Sequence, residues 1–358
     1  MTKKRILAIG GDGVGPDVVD ATCYVLENAK FDLEIRKPPE PPPDQPYNEE
    51  ALRKMCDEAD AVLFGAAGPA PGRPSRGNIM IYLRWILDNY VNIRPIKYYQ
   101  GAGTCLKDAS GIDFVILREN SEGMYSFFEE DLSVLKEGLP NLRNRFNKSI
   151  MDYGNGKFAL RIITERGAAR LAKFACEYTA QRKRDGFPGK LTCVSKSNVL
   201  AKTDGIFDSA MEEEVKKYPE LSYERFYVDD TARRLLRYPK DFDVVVTSNL
   251  FGDILSDESS ELIGGLGLAP SANVGGKVPY FESVHGSAPK YAGKNVINPT
   301  ATLLSAKLML QHLKMNREAK VLEDAVAAVF REGKSLTQDQ GGKATTSAFA
   351  EAVLKKIT

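Results

Sequence analysis

The chain has 358 residues, of which 43% are hydrophobic and 27% charged, with a formal net charge of +1. Such a composition suits a globular protein long enough for two domains and a sizeable core. Balanced charge argues against nucleic acid as a partner, and no apolar run approaches the roughly 20 residues of a membrane span.

The first stretch, MTKKRILAIGGDG, runs straight into a strand-like segment without a signal-peptide core, so a cytosolic protein, or an organelle protein in mature form, is expected. Five cysteines, Cys23, Cys56, Cys105, Cys176 and Cys193, are scattered without a CxxC pair and are read as reduced core or surface thiols. After the strand RILAI comes GGDGVGP (10–16), placed where a dinucleotide fingerprint would sit, between a strand and the helix VVDATCYVLENA. Its glycines run Gly11-x-Gly13-x-Gly15, with Pro16 where GxGxxG needs its third glycine, so the segment fits a tight turn opening a helix as well as a phosphate cradle.

The proline-rich 37–50 stretch is expected to be an exposed extended connection before a helix near ALRKMCDEA. Beyond the strand DAVLFG lie three arginines at element ends: Arg84 in YLRWILDNY, Arg94 in VNIRPIKYY and Arg118 in DFVILRENSEG. A guanidinium among apolar neighbours is suited to bidentate capture of carboxylates. One is commonly a structural ion pair, whereas three beside a metal site imply a polyanionic small substrate. Residues 126–157 break the strand–helix alternation with mixed charge and a Gly-Asn-Gly turn, as an arm used in subunit contact would.

The helix GAARLAKFACEYTAQ ends in the basic run Arg182-Lys183-Arg184, read as a solvated helix end. The strands KLTCV and DFDVVVTS follow, and the second runs into LFGDILSDESS (250–260), a helix that Asn249 is expected to cap. Spacing of i, i+4 aligns Asp253 with Asp257, and Asp229 and Asp230 follow the apolar run RFYV, so strand-end carboxylates are expected to converge. Oxygen ligands without neighbouring Cys or His favour Mg²⁺ or Mn²⁺. The loop HGSAPKYAGKNVINP (285–299) holds His285, one of two histidines, and precedes the helix ATLLSAKLMLQHL. Alternating strands and helices throughout give an α/β class with a largely parallel or mixed sheet.

Taken in order, GDGVGP, NIRP, RENSEG-Y, KSNVL, NLFGDILSD, GLGLAPSAN, ESVHGSAP and NPTATLLSA resemble the β-decarboxylating dehydrogenases: isocitrate, homoisocitrate, 3-isopropylmalate and tartrate/D-malate dehydrogenases. The resemblance covers nearly the whole chain. It implies a two-domain mixed-sheet α/β fold of the isopropylmalate/isocitrate dehydrogenase type, distinct from a standard Rossmann domain. A discontinuous large domain (1–95 with 264–358) would bind the cofactor, and 96–263 would form a small domain with the dimer interface.

The family's roles, carried over by motif, put Arg84, Arg94 and Arg118 on the substrate carboxylates and Asp229, Asp253 and Asp257 on Mg²⁺ or Mn²⁺. Tyr125 and Lys196 become acid and base. In the implied homodimer Lys196, Asn198 and Asp229 reach the partner's site. The cofactor site falls to Asn198, Glu282, His285, Gly286, Ser287, Ala288, Asn298 and Asp339. NAD-dependent members carry an aspartate after HGSAP, where this chain has Lys290-Tyr291, the pattern of NADP-dependent isocitrate enzymes, so NADP is preferred over NAD. The C-terminal tyrosine and arginine of bacterial NADP enzymes have no evident counterpart. Substrate-reading positions before Arg84, SRGNIMIYLR, match neither the isopropylmalate nor the isocitrate pattern: Gly77 removes an acidic side chain, Asn78 offers an amide, and Met80 and Ile81 offer apolar surface. The expected reaction is oxidative decarboxylation of a malate-type 2-hydroxy acid, isocitrate-like or isopropylmalate-like ahead of tartrate or D-malate. A metal-dependent hydrolase or phosphoryl-transfer enzyme is the alternative from another class, and it would have no use for the Tyr125–Lys196 pair.

Overall fold

The computed structural model describes residues 3–42 and 45–357. Its strands are β1 (Lys4–Gly11), β2 (Leu33–Arg36), β3 (Ala61–Ala66), β4 (Val91–Lys97), β5 (Asp113–Glu119), β6 (Glu129–Asp131), β7 (Lys157–Ala159), β8 (Lys190–Ser195), β9 (Ser222–Tyr227), β10 (Val244–Thr247), β11 (Pro270–Val274) and β12 (Tyr280–Ser283). The helices are α1 (Gly15–Asn28), α2 (Glu49–Glu58), α3 (Ile79–Ile81), α4 (Leu132–Gly138), α5 (Glu165–Arg184), α6 (Thr203–Val215), α7 (Val228–Arg237), α8 (Asn249–Ser260), α9 (Thr300–His312), α10 (Asn316–Glu332) and α11 (Thr346–Ile357).

Ten strands form one sheet in the order β2-β1-β3-β12-β11-β4-β5-β10-β8-β9. Pairing is parallel at both ends and antiparallel where β11 meets β12 and β4 and where β4 meets β5. This mixed order differs from the doubly wound order of a standard Rossmann domain. Helices cover both faces, which explains why β3 and β10 are fully buried and apolar but for Thr247 at the end of β10. Strand alternation divides the core: Ile6 and Ala8 of β1 pack with the larger cluster, Leu7 and Ile9 with a smaller one under α2 and α3.

Helix starts follow local chemistry. Pro16 occupies the first turn of α1, Asn48 accepts from Ala51 N to cap α2, and Thr164 accepts from Gly167 N to cap α5. The basic end of α5 is not simply a solvated face. Arg182 Nε donates at 2.6 Å to the fully buried Asp243, because that carboxylate at the foot of β10 needs a counter-ion. Within the proline-rich connection, Pro43 and Asp44 lie outside the described residues. Its neighbours Pro41, Pro42 and Gln45 are fastened by the Arg76 guanidinium at 2.7–3.2 Å. The 126–157 segment forms the two-stranded β6–β7 sheet with α4 and leaves Phe127 and Phe146 about three-quarters exposed. All five cysteines are free and all but Cys105 are buried. Among the described residues no helix is long and apolar enough to cross a membrane.

Candidate active site

Helix α8 follows β10 directly, and its first two turns face the C-terminal end of β5 and the N-terminal half of the antiparallel β4. Ser248, not Asn249, holds the cap position. Asn249 is instead the buried first residue of the helix, and its Oδ1 accepts from Arg118 Nε at 3.1 Å, Arg118 Nη2 at 2.7 Å and Arg84 Nη2 at 3.2 Å. The amide oxygen does more here than capping would, because two guanidiniums need neutral acceptors that leave their charge intact for a ligand.

One turn on, Asp253 pairs with Arg118 and lies 3.2 Å from Arg94 Nη2, while Asp257 accepts from Arg94 Nη1 at 3.1 Å. The i, i+4 spacing therefore puts both carboxylates on one face, as expected. Against the effect of its burial, Arg118 and Arg94 hold the Asp253 carboxylate below its usual range. Burial pushes Asp257 up, with Arg94 opposing. The arginines are fixed individually: Arg94 Nε donates to Asn92 Oδ1 at 2.6 Å, and Arg84 Nε donates to the Asn120 carbonyl at 2.6 Å. Arg84 lies in a stretch of π-type helix, Tyr82–Ile86, a geometry concentrated at functional sites. Three guanidiniums facing two carboxylates leave the cluster cationic, which suits a polycarboxylate.

The Tyr125 hydroxyl donates to Asp253 Oδ2 at 2.9 Å, with Arg118 over its ring at 5.4 Å. Burial, then the Asp253 carboxylate, pushes the phenol up, so it stays protonated. Lys196 sits elsewhere, paired with the largely exposed Asp229. Asp230 is taken by Arg233 and Arg234. Strand-end carboxylates thus do not converge as expected within one chain. Among the described residues no three His, Cys, Asp or Glu side chains come together: α7 starts after the edge strand β9 and α8 after β10, two strands inward, and Asp229 is turned to Lys196 while Asp253 and Asp257 are turned to the arginines. Asn198 is exposed on the turn after β8.

A cavity of about 460 Å³ lies between the GDGVGP turn and the loop after β12, and His285, Gly286, Ala288, Tyr291, Asn298 and Asp339 all line it. Asn298 Nδ2 donates to Asp339 Oδ2 at 3.0 Å, which fixes both. His285 Nδ1 lies 3.0 Å from the Gly286 carbonyl, so Nδ1 carries the proton, and the buried Nε2 is an acceptor without a partner. Burial also lowers the affinity of this ring for a second proton. Lys290 is outside the lining, its ammonium 4.7 Å from the Tyr291 ring. Glu282 stands on the active-site side of β12, held by Asn273 Nδ2 at 3.0 Å. Ser287 is buried beneath the turn, where its carbonyl accepts from Val14 N at 2.8 Å and a Cβ on Gly13 would lie 1.9 Å away. Gly13, at φ +59°, therefore permits contact between two loops.

Residues 5–353 match the family model described as isocitrate/isopropylmalate dehydrogenase. The chain belongs to that family. It is 41% identical to a 3-isopropylmalate/3-methylmalate dehydrogenase of Methanocaldococcus jannaschii, over 99% of this chain and 98% of the relative. Identity to an NADP-dependent isocitrate dehydrogenase of Thermus thermophilus is 35%, over 99% of this chain and 68% of the relative. Isocitrate dehydrogenase from Methylococcus capsulatus superposes with a TM-score of 0.81 at 32% identity, covering 99% of both chains. The protein is thus a decarboxylating dehydrogenase acting on a CH–OH group, in a family that uses NAD or NADP with Mg²⁺ or Mn²⁺.

For this dehydrogenase the donor set fits both groups. Hard carboxylate oxygens suit Mg²⁺ or Mn²⁺, and the orphaned His285 Nε2 in a cleft-like cavity suits a ligand with N–H or O–H donors. Two site features lay outside the reading of the motifs. The role of Asn249 goes beyond a cap because its partners, Arg84 and Arg118, lie far away in the chain. Asp12, within GDGVGP, is 6% exposed and accepts from Gly68 N at 2.9 Å, Ser75 Oγ at 2.8 Å, Arg76 N at 2.7 Å and Gly77 N at 3.1 Å. It anchors the segment leading into Asn78 and Arg84. The only local signal was an acidic residue inside a glycine turn.

Proposed function

We propose that this dehydrogenase oxidatively decarboxylates a 3-alkylmalate with NADP, as a homodimer whose sites are shared. The carrying observation is the convergence of Arg84, Arg94 and Arg118 on Asn249, Asp253 and Asp257, with the Tyr125 hydroxyl on Asp253. An apolar side chain on C3 is supported by a cavity of about 500 Å³ lined by Ile81, Trp85 and Phe127 beside Arg84. Asn78, exposed at the start of α3, supports an isocitrate-like second reading through its amide. Tyr291 on the cofactor cavity, with the Lys290 ammonium beside its ring, supports NADP, the phenol and ammonium being suited to a 2′-phosphate. The outward-facing Asp229–Lys196 pair supports sharing between subunits, since Asp229 is 67% exposed on its own chain. Five free thiols support a reducing compartment such as the cytosol.

The three arginines hold the two carboxylates and so fix C2 and C3. Lys196 of a second copy takes the C2 hydroxyl proton, and Tyr125 returns a proton to C3 after the carboxylate departs. When bound, the dinucleotide accepts the C2 hydride and Mg²⁺ or Mn²⁺ stabilises the charge that develops as CO₂ leaves. Asp229, Asp253 and Asp257 would hold that ion.

Formation of NADPH or NADH from 3-isopropylmalate, 3-methylmalate, isocitrate and D-malate, with and without Mn²⁺, tests the reading. Higher kcat/KM for the alkylmalates and for NADP is expected; a preference for isocitrate or for NAD overturns the corresponding assignment. Lys196→Met and Tyr125→Phe are each expected to lower turnover by roughly 10²- to 10⁴-fold while retaining the fold. Near-normal rates would remove them from the chemistry.

A further inference from the structure

The strands that carry the substrate arginines have a second face. Side chains alternate along a strand, so Arg94 of β4 and Arg118 of β5 point to the active site while Ile93, Lys97, Asp113 and Val115 stand on the reverse. These residues floor a cavity of about 640 Å³, walled by α5 and α9 and bounded at one end by Glu323 of α10. That volume lies within the range of small-molecule sites, roughly 300–1,000 Å³.

One end of the cavity is aromatic. Phe174 and Tyr178 stack on α5 with centroids 6.0 Å apart, and Phe281 of β12 meets His312 edge-on at 5.9 Å. The other end is charged. Glu323 Oε1 accepts from Lys97 Nζ at 2.8 Å and from the Tyr99 hydroxyl at 2.9 Å, and Lys307 Nζ lies 3.3 Å from Oε2. A single carboxylate thus serves two ammoniums. Asp113, 3.8 Å from Lys97, is shared with Arg182 at 3.2 Å. Among the described residues Glu323 is the only salt-bridge partner of Lys307, whose side chain is 16% exposed. Burial lowers the pKa of this ammonium against the pull of Glu323, so a second anion beside it would be favoured. Neither the aromatic wall nor this network takes part in the proposed chemistry.

We propose that this reverse-face cavity is a second ligand site, taking a small monocarboxylate with a flat or branched apolar body. The carboxylate meets Lys307, and the body lies between the α5 aromatics and Phe281. An occupant stands one sheet thickness behind Arg94 and Arg118 and touches helices from both sides of the cleft.

Isothermal titration calorimetry on the whole chain with 3-phenylpropionate tests this without requiring turnover, so its outcome is independent of the substrate assignment. Binding in the millimolar range or tighter is expected, weakened about tenfold or more for the uncharged 3-phenylpropan-1-ol and in Lys307→Met. Leu308→Trp fills the cavity from α9 and leaves the ion pairs in place, so it decides the matter even if Lys307→Met fails to fold. Loss of binding in Leu308→Trp supports the site. Undiminished binding in that variant would put the ligand outside this cavity and overturn the proposal, as would absence of binding to the unmodified chain.

Discussion

Replacing Asp12 by asparagine tests whether one carboxylate positions the substrate helix. Oδ2 of Asp12 accepts from Gly68 N, Ser75 Oγ and Gly77 N, and Oδ1 from Arg76 N. Asparagine keeps most of these bonds by placing its amide oxygen at the Oδ2 position, which sets its NH₂ against the Arg76 N–H. One charge-assisted bond is lost and one N–H faces another donor, a combined penalty of about 2–4 kcal/mol. A fall of several degrees in Tm is the expected consequence. Because Ser75, Arg76 and Gly77 lead directly into Asn78 and Arg84, KM for the hydroxy acid should rise more than kcat falls. Trp85 is the only tryptophan and stacks beside Arg84, with the guanidinium 4.6 Å from its ring. Its emission therefore reports the position of this helix without any turnover, and a shift is expected in Asp12→Asn. Unchanged Tm together with unchanged Trp85 emission would refute the anchoring role; a lower Tm with unaltered KM and emission would reduce Asp12 to local stabilisation.

Two further outcomes follow from the ion pairs. Against the effect of burial, Lys307, Lys97 and the Tyr99 hydroxyl hold the Glu323 carboxyl down to about 2 from an ordinary 4.5. Its folded value is the lower one, so its contribution, on the order of 3 kcal/mol, is complete above pH 4.5 and fades as pH falls toward 2. Urea unfolding across that window should show a shallower acid loss in Glu323→Gln, and an identical profile would remove the pairing from the stability account. At the active site, Mn²⁺ at one hundred times its Kd should stabilise the protein by about 2.7 kcal/mol. Asp257→Asn should abolish most of that gain, and equal Mn²⁺ stabilisation of both proteins would take Asp257 out of the metal site.

The elements most legible in the sequence were those whose periodicity is local. RILAI, DAVLFG, DFVILR, KLTCV and the core of DFDVVVTS are strands, and the helices after Gly15, Glu165 and Thr300 stand where their apolar spacing put them. The same locality aligned Asp253 with Asp257. Capping is a local rule and places Asn249 at a helix start, whereas its actual partners Arg84 and Arg118 lie 165 and 131 residues away. The same holds for Arg182, whose partner Asp243 lies 61 residues along the chain.

What the sequence by itself determined is the chemistry available: three arginines, paired carboxylates one turn apart, a tyrosine and a lysine in ordered motifs. Only the tertiary structure decided how they are shared out. The strand order brings β4, β5 and α8 together and leaves Asp229 with Lys196 toward the β9 edge, so the described residues of one chain supply the arginine cluster but not a three-carboxylate site. It also turned the Asp12 carboxylate onto the 68–77 segment and opened a cavity behind Arg94 and Arg118. Such placements depend on which faces of distant strands become neighbours, and that is fixed by the packing of the whole sheet rather than by any stretch of sequence read alone.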